Sequence, residues 1–288
     1  MILVTGVTGT VGREVASRLL GRGGPLRVLV RDPARLALPG PVPGAAVGSY
    51  EVAVGSYGDG GSLARALAGV TAAFLVTADP SAPHDAAFLR AARGAGVRHV
   101  VKLSAHAVGD PGADDLVTAW QRANEDALRA SGLGWTLLRP RAFMTNTLGW
   151  ARSVREEGVV RAPFPDSANA CVDPRDVAEV AVRALTEPGH AGLVYPLTGP
   201  EAVTARQQTA ALARAVGRPL DCRELPLDRA LEGWRRRYPA GVAEALAAGA
   251  LRQAAGGKAA VDPAFERLTG RAPRSYARWA EDHRAAFT

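Results

Sequence analysis

The chain is almost without lysine and has few cysteines, methionines and aromatic residues. Lys102 and Lys258 are the only lysines among 35 basic residues, and the rest are arginines. Two cysteines, Cys171 and Cys222, are too few for a disulfide framework or a four-ligand zinc site. No apolar run is long enough to span a bilayer, and no charged leader with a cleavage site precedes the first strand pattern. We therefore expect no metal, no membrane contact and a reducing cytoplasmic location.

The net charge of +7 raises the question of a nucleic-acid partner. Proteins that bind nucleic acid concentrate basic residues on one face or stripe. Here the arginines are scattered, apart from three in a row at 235–237, and such a run is more often a solvated helix face. Abundant alanine, glycine and arginine with little lysine favours coding bias in a GC-rich genome. We therefore expect no nucleic-acid partner.

Short apolar runs alternate with helical patterns in the first half of the chain. Strand patterns occupy 2–4, 26–30, 52–54, 72–76, 97–103 and 135–139. Helical spacing follows at 11–19, 62–67 (with Ser62 as the expected cap), 85–95 and 120–130. This alternation predicts βαβ units on a parallel sheet. The fold class is thus α/β, a Rossmann-type doubly wound parallel sheet with a smaller, mostly helical C-terminal substrate region.

The alternation of strand and helix patterns stops after Pro140, which predicts that the two parts of the chain have different functions. We expect residues 1–150 to form a nucleotide-binding domain, completed by a helix and a strand within about 172–200. Residues 151–171 and 201–288 are expected to form the substrate region. Its Ala- and Gly-rich stretch at 240–260 reads as a mobile helical lid.

A glycine-rich loop joins the first strand to the first helix. It runs Thr5-Gly6-Val7-Thr8-Gly9-Thr10-Val11-Gly12. In such a loop the first glycine allows a tight turn, the second lets backbone approach a pyrophosphate, and the third lets helix and strand pack closely. The helix N-terminus then offers N–H groups and a positive dipole to the phosphates. Because a strand precedes the loop and a helix follows it, we predict a dinucleotide site.

The residues after the second strand select the cofactor. An acid at this point favours the 2′-hydroxyl of NAD, whereas an arginine favours the 2′-phosphate of NADP. Arg31 comes first, then Asp32, and Arg35 is close enough in sequence to assist. A guanidinium grips a phosphate through two parallel hydrogen bonds, whereas Asp32 before Pro33 is typical of a turn. We therefore predict NADPH.

The spacing Gly-x-x-Gly-x-x-Gly resembles the short-chain dehydrogenases/reductases in their extended or atypical branches. With the second half included, the chain resembles the NmrA-like family of atypical members over nearly its whole length. The stretches that carry this resemblance, by their order and spacing, are 100–104, 127–132, 135–140, 143–146, 172–178, 195–200 and 269–276.

The resemblance implies roles for individual residues. Thr77 would lie beside the cofactor ribose and pyrophosphate, Lys102 would approach the nicotinamide ribose, and Pro140 and Phe143 would flank the nicotinamide. Ser56 stands near the adenine, where many relatives carry an acid. The predicted cofactor-binding set is Gly6, Thr8, Gly9, Thr10, Val11, Gly12, Arg31, Ser56, Thr77, Lys102, Pro140 and Phe143.

The Tyr-x-x-x-Lys pair of typical short-chain reductases is absent. Lysines at 102 and 258 would need tyrosines at 98 and 254, where the chain has Arg98 and Ala254. Gln121 occupies the place of a histidine common in atypical relatives, and its amide does not titrate usefully. Glu125 is interpreted as a structural anchor, and Ser104 as a strand-end hydroxyl bonded to backbone.

Hydride transfer would then need another proton source: water, His106 or a phenol or quinone substrate itself. His106 has the right pKa range for this task, but an exposed loop histidine is an equally good interpretation. The predicted catalytic residues are His106, Lys102 and Gln121, and the predicted substrate contacts are Trp120, Phe143 and Asn146.

The function predicted from these features is NADPH-dependent reduction of a quinone or an aromatic or polyketide-like carbonyl compound. The alternative is a catalytically silent NADP(H) sensor that binds a partner protein, and an epimerase or dehydratase is weakened by the missing acid–base pair. We expect a small-molecule partner and a monomer or homodimer.

Overall fold

Residues 1–38 and 50–288, which this computed structural model describes, alternate strands and helices in the predicted order. The strands are β1 (Ile2–Val4), β2 (Leu26–Val30), β3 (Tyr50–Val54), β4 (Ala72–Leu75), β5 (His99–Leu103), β6 (Gly134–Pro140), β7 (Val159–Ala162), β8 (Leu193–Leu197) and β9 (Asp221–Glu224). The helices are α1 (Thr10–Arg22), α2 (Gly60–Leu67), α3 (His84–Gly94), α4 (Leu116–Arg129), α5 (Ala151–Glu157), α6 (Pro174–Thr186), α7 (Ala205–Val216), α8 (Leu227–Arg235), α9 (Ala240–Ala254), α10 (Ala264–Thr269) and α11 (Tyr276–Asp282).

One sheet has the strand order β3-β2-β1-β4-β5-β6-β8. Every neighbouring pair from β3 to β6 is parallel, and Ile2 of β1 lies opposite Leu26 on one side and Ala72 on the other. Leu3 and Val4 are fully buried, as a strand covered on both faces requires. The predicted α/β fold is therefore confirmed. The strand order reverses direction between β1 and β4, which is where doubly wound sheets bind their ligands.

The helix starts differ from the sequence prediction at two places. Ser62 does not cap α2; the cap is Asp59, whose carboxylate accepts from the backbone N–H groups of Gly61 and Ser62. The helix predicted to start at Trp120 begins at Leu116. Asp115 explains the earlier start, because its carboxylate accepts from the backbone N–H of Thr118 at 3.0 Å.

The described chain divides into two compact units. The first contains 1–109, 120–139 and 174–195, and the second contains 110–119, 140–173 and 196–288. The expected nucleotide-binding domain over 1–150 remains a prediction, because this division concerns compactness and not ligand binding. After β6 the N–H of Met144 donates to the carbonyl of Val172 within the second unit.

Each unit has its own apolar core. Helices α1 and α6 of the first unit pack on each other, and Phe88, Leu63 and Leu137 are among the buried side chains of its core. In the second unit the core gathers around Trp279 and Tyr276, both of which are almost completely buried.

The second unit contains a small parallel sheet that the sequence does not predict. Strands β7 and β9 pair from Val159 opposite Asp221 to Ala162 opposite Glu224. The β9 sequence Asp-Cys-Arg-Glu has no apolar run or clear alternation that would indicate a strand. In 1–38 and 50–288 no helix is both long and apolar enough to cross a membrane.

Candidate active site

Close packing in the glycine loop explains two of its three glycines. Gly6 has φ +66°, and a methyl group placed on it would lie 2.9 Å from Cβ of Val76. A methyl group on Gly12 would lie only 2.3 Å from the carbonyl oxygen of Gly6. The N–H of Gly9 donates to that same oxygen at 2.9 Å and closes the turn. Any side chain at Gly6 or Gly12 therefore forces the loop to move.

The N-terminus of α1 is arranged to receive an anion. Its N-cap, Gly9, has no side chain to bond the first N–H groups, and the first turn contains no acidic residue. Thr8, Gly9 and Thr10 are exposed, while Val11 is buried and so presents only its backbone to a ligand. Unsatisfied N–H groups and the helix dipole make this a fit for a pyrophosphate. The residues present therefore suit the phosphates of a dinucleotide.

The residues after β2, Arg31 and Asp32, have different roles in the structure, which bears on the choice between NAD and NADP. The Asp32 carboxylate accepts from the N–H of Ala34 at 3.0 Å and caps a single turn of 3₁₀ helix at Pro33–Arg35. Asp32 thus has the turn role that its Pro33 neighbour suggests. Arg31 is exposed at the end of β2, and Arg35 is exposed on the turn. This arrangement leaves a guanidinium available for a phosphate.

Tyr57 connects the loop after β3 to the end of β4, and sequence reasoning missed it. Its hydroxyl donates to the carbonyl oxygen of Val76 at 2.6 Å. Burial raises the pKa of Tyr57 well above its usual value, so the hydroxyl stays protonated. Ser56, the preceding residue, donates its N–H to the hydroxyl of Ser62 at 3.2 Å. The chain after β3 and the end of β4 are thereby held together at one edge of the sheet.

A buried ion pair lies beneath this edge. Nζ of Lys102, on β5, is 2.5 Å from Oδ1 of Asp85, on α3, and both side chains have almost no exposed surface. The hydroxyl of Thr77 donates to the other Asp85 oxygen at 2.5 Å. Burial lowers the pKa of Lys102, and the charge of Asp85 opposes that shift. The ammonium of Lys102 is thus buried against Asp85, and its contact with the nicotinamide ribose remains a prediction.

The position of the missing Tyr-x-x-x-Lys pair falls on α4. Gln121 is buried, and its Oε1 has no hydrogen-bond partner. The Trp120 ring centroid lies 6.0 Å from Nζ of Lys102. A buried, unpartnered amide oxygen is an acceptor available to a ligand hydroxyl or N–H.

Glu125 anchors this helix, as the sequence suggests. Its carboxylate has no exposed surface and accepts from Ser104 at 2.6 Å, from Arg129 at 2.8 Å and twice from Arg139, at 2.6 and 2.9 Å. Ser104 thus bonds a carboxylate rather than the expected backbone group. Burial opposes ionisation of Glu125, but its hydrogen bonds from Arg139 and Ser104 outweigh this and lower its pKa.

The remaining predicted residues fall in different places. His106 is partly buried in a 3₁₀ turn (His106–Gly109) that follows β5 in the first unit. Pro140 is buried at the end of β6, Phe143 is partly buried and pairs with Val172 through an isolated bridge, and Asn146 is exposed. Phe143 and Asn146 belong to the second unit.

Comparison with known proteins agrees with this geometry. A family model described as NAD(P)H-binding matches residues 6–188. The chain belongs to this NAD(P)H-binding family. The resemblance to the NmrA-like atypical short-chain reductases is also confirmed.

Two relatives are similar over the full length. A (4-alkanoyl-5-oxo-2,5-dihydrofuran-3-yl)methyl phosphate reductase from Streptomyces griseus is 53% identical over 287 residues, covering 100% of this chain and 99% of that protein. An NAD(P)H azoreductase from Xenophilus azovorans is 34% identical over 292 residues, with 100% and 99% covered.

A solved structure is similar as well. An NADPH-dependent quinone oxidoreductase from Escherichia coli, complexed with NADPH, superposes with a TM-score of 0.82 at 28% identity, covering 98% of this chain and 99% of that one. The protein is therefore an oxidoreductase that uses a nicotinamide cofactor and acts on a small molecule. Relatives named as reductases do not favour the silent-sensor alternative.

Proposed function

We propose that the protein is an NADPH-dependent reductase of electron-poor conjugated carbonyl compounds. One observation carries this proposal: where typical short-chain reductases have a tyrosine–lysine proton donor, this chain has Gln121, with a buried, unpartnered amide oxygen. Lys102 is enclosed with Asp85 and has no tyrosine partner at position 98. An acceptor that tolerates delayed protonation suits such a site better than an isolated ketone, whose alkoxide product needs a proton at once.

The cofactor would be held by the features at the edge of the sheet. The backbone of Thr8, Gly9 and Thr10 at the start of α1 would bind the pyrophosphate, and Arg31 the 2′-phosphate. When bound, NADPH supplies a hydride. Gly6 and Gly12 keep the loop close to β4 and α1, and the hydrogen bond from Tyr57 to Val76 holds the adjacent chain in place.

The chemistry of the relatives' substrates suggests the acceptor class. In a 4-alkanoyl-5-oxo-2,5-dihydrofuran, the ring alkene is conjugated to both a ketone and a lactone carbonyl. Reduction at the alkene carbon farther from the carbonyls spreads the negative charge over two oxygens. A quinone likewise yields a phenolate. Both anions persist without an acid in contact, so water can supply the proton afterwards, and the protein needs chiefly to position the acceptor.

The roles of individual residues follow from this proposal. The Gln121 amide orients the acceptor by accepting a hydrogen bond or through its N–H groups, and Trp120, Phe143 and Asn146 are the proposed substrate contacts. His106 is the proposed proton source where a substrate requires one. A cytoplasmic location and a monomer or homodimer remain predictions.

A panel of acceptors tests the function. The protein is mixed with NADPH and an acylated butenolide, menadione or acetophenone, and NADPH absorbance is followed. We expect oxidation with the butenolide and the quinone but negligible oxidation with acetophenone. Tight NADPH binding without oxidation by any acceptor would favour the silent sensor, and a preference for acetophenone would contradict the proposed acceptor class.

A further inference from the structure

Three cationic side chains come together in the second unit. Arg141 is the first residue after β6, Arg252 lies near the end of α9, and Lys258 lies in the segment between α9 and α10. Arg252 and Lys258 are close in sequence, but Arg141 is far from both, so only the fold reveals the cluster.

Lys258 and Arg252 converge on the same small space above α9. A methyl group on the buried Gly249 would lie 3.2 Å from Nζ of Lys258 and 4.0 Å from Nη2 of Arg252. Backbone hydrogen bonds fix this arrangement: the carbonyl of Lys258 accepts from Ala170 at 2.9 Å. The guanidinium of Arg141 reaches the carbonyl of Gly257, next to Lys258, at 3.3 Å.

The charges in this cluster are not balanced. Asp115 is bonded to Arg252 at 2.8 Å and also accepts from the N–H and hydroxyl of Thr118. Among the described residues no carboxylate lies within ion-pair distance of Lys258. Nε of Arg141 is buried without a hydrogen-bond partner. A partly buried lysine without an ion-pair partner and a buried, unpartnered guanidinium nitrogen are costly, and such arrangements concentrate at functional sites.

The electrostatics of Lys258 agree with this geometry. Burial lowers its pKa to about 8, repulsion from Arg252 and Arg141 adds to that shift, and Asp115 partly offsets it. Burial of Asp115 itself opposes ionisation, but its hydrogen bonds with Thr118 and Arg252 outweigh this and lower its pKa. Near neutral pH the cluster therefore carries three positive charges, against Asp115, which is paired with Arg252, and Asp110, whose charge acts on Arg141.

We propose that Arg141, Arg252 and Lys258 bind a phosphate monoester carried by the substrate. A phosphate monoester has between one and two negative charges near pH 7 and three acceptor oxygens, which matches three convergent cations. Arginine forks supply paired hydrogen bonds, and lysine supplies a compact point charge. This inference rests on the proposed function, and a methyl phosphate is present in the substrate named for the Streptomyces griseus relative.

A matched pair of acceptors tests the site by turnover. The (4-alkanoyl-5-oxo-2,5-dihydrofuran-3-yl)methyl phosphate is compared with its dephosphorylated alcohol in the full-length protein and in Lys258→Met and Arg141→Met. We expect each substitution to reduce the ratio of kcat/KM for phosphate over alcohol about tenfold or more, the usual effect of losing a charged hydrogen bond. Arg214→Met, which removes an exposed arginine on α7, is the control and should leave the ratio unchanged.

Binding without turnover gives an independent readout. Phenyl phosphate is titrated calorimetrically into protein saturated with NADP⁺, so that the cofactor fills its own phosphate sites. We expect affinity to fall as the pH rises through about 8, where Lys258 loses its proton. Lys258→Met should bind weakly and lose this pH dependence. Repeating the titration with saturating NAD⁺ separates this site from an empty 2′-phosphate site at Arg31.

The outcomes distinguish the site from the proposed function. Phosphate binding that depends on Lys258, without reduction of either acceptor, would support the site and contradict the reductase assignment. Reduction of both acceptors with equal kcat/KM, unaffected by Lys258→Met and Arg141→Met, would overturn the site and leave the reductase intact. Phenyl phosphate that binds only when NAD⁺ replaces NADP⁺ would also overturn it, since the anion would then occupy the cofactor's site.

Discussion

The two lysines of the chain, Lys102 completely buried and Lys258 partly buried, have opposite surroundings. Lys102, in the first unit, has a carboxylate 2.5 Å away, and the Asp85 that supplies it is held in turn by Thr77. Lys258, in the second unit, faces Arg252 and Arg141, and the nearby carboxylate of Asp115 is engaged with Arg252. Lys102 thus has an ion-pair partner within the protein, whereas Lys258 has none among the described residues.

We interpret the charge of Lys102 as structural and the charge of Lys258 as one that an anionic ligand would pair. A buried pair is destabilising to break because the remaining partner is left uncompensated. A cluster without an anion reduces the stability of the free protein and is relieved when an anion binds. Removing each lysine should therefore change stability in opposite directions.

Breaking the Lys102 pair is expected to have the largest effect. Lys102→Met leaves Asp85 ionised and buried, so the free energy of unfolding should fall by about 3–5 kcal/mol. Denaturant unfolding of the variant measures this loss. In the matched variant Lys102→Met/Asp85→Asn, which removes both charges, much of the loss should be recovered. A single Lys102→Met variant as stable as the parent would contradict a structural role for the pair.

Glu125 is a second buried charge in the first unit, and its carboxylate accepts hydrogen bonds from the protein. Glu125→Gln keeps the shape but removes the charge that bonds Arg139, Arg129 and Ser104, and should cost about 2–3 kcal/mol. Because the native pKa of Glu125 is lowered, its stabilisation is present above the unfolded value and is lost as pH falls through the native value. Unfolding curves of parent and variant should converge in acid, and a constant gap down to acidic pH would contradict this.

Arg31 tests whether the first unit binds the 2′-phosphate of NADPH at its surface. Arg31→Ala should weaken NADPH binding about tenfold or more relative to NADH, since one charged hydrogen-bonding group to the 2′-phosphate is lost. Fluorescence titration with both cofactors measures the ratio. Arg35→Ala, on the adjacent turn, should have a smaller effect. Equal losses for NADPH and NADH would remove the basis for the phosphate assignment.

Removing Lys258 should have the smallest effect, with the opposite sign from Lys102. Its native pKa of about 8 lies below the unfolded value, so the charged lysine lowers stability at pH 7. Lys258→Met should therefore stabilise the free protein by an amount on the order of 1 kcal/mol. The gain should shrink as pH rises from 8 toward the unfolded pKa near about 10.4. Destabilisation at pH 7 would contradict an unbalanced cluster.

Local patterns were sufficient to predict the first unit's sheet and glycine loop. A strand, a glycine-rich turn and a helix within the first residues specify both the fold and the cofactor loop, because each glycine there meets a neighbour close in sequence or just after β4. The turn role of Asp32 follows from Pro33 in the same way. The absence of a tyrosine–lysine pair could be read directly from the two lysine positions.

Long-range partners could not be predicted. Nothing in the spacing of Asp85 and Lys102 indicates an ion pair, because the contact depends on α3 packing over β5. Lys258 lies in an alanine- and glycine-rich stretch that suggested only a lid, and its position is held by backbone bonds such as that from Ala170. A local imbalance of charge arises only in the folded chain, whereas the sequence alone shows only the net charge.

Isotope transfer tests the central claim most directly. The protein is mixed with NADPH deuterated at the transferable C4 position and the acylated butenolide, and the product is analysed by mass spectrometry and NMR. We predict one deuterium at the former alkene carbon farther from the carbonyls, with the ketone and lactone retained. Deuterium at the ketone carbon, or NADPH recovered unoxidised, would contradict the assignment as a reductase of conjugated acceptors.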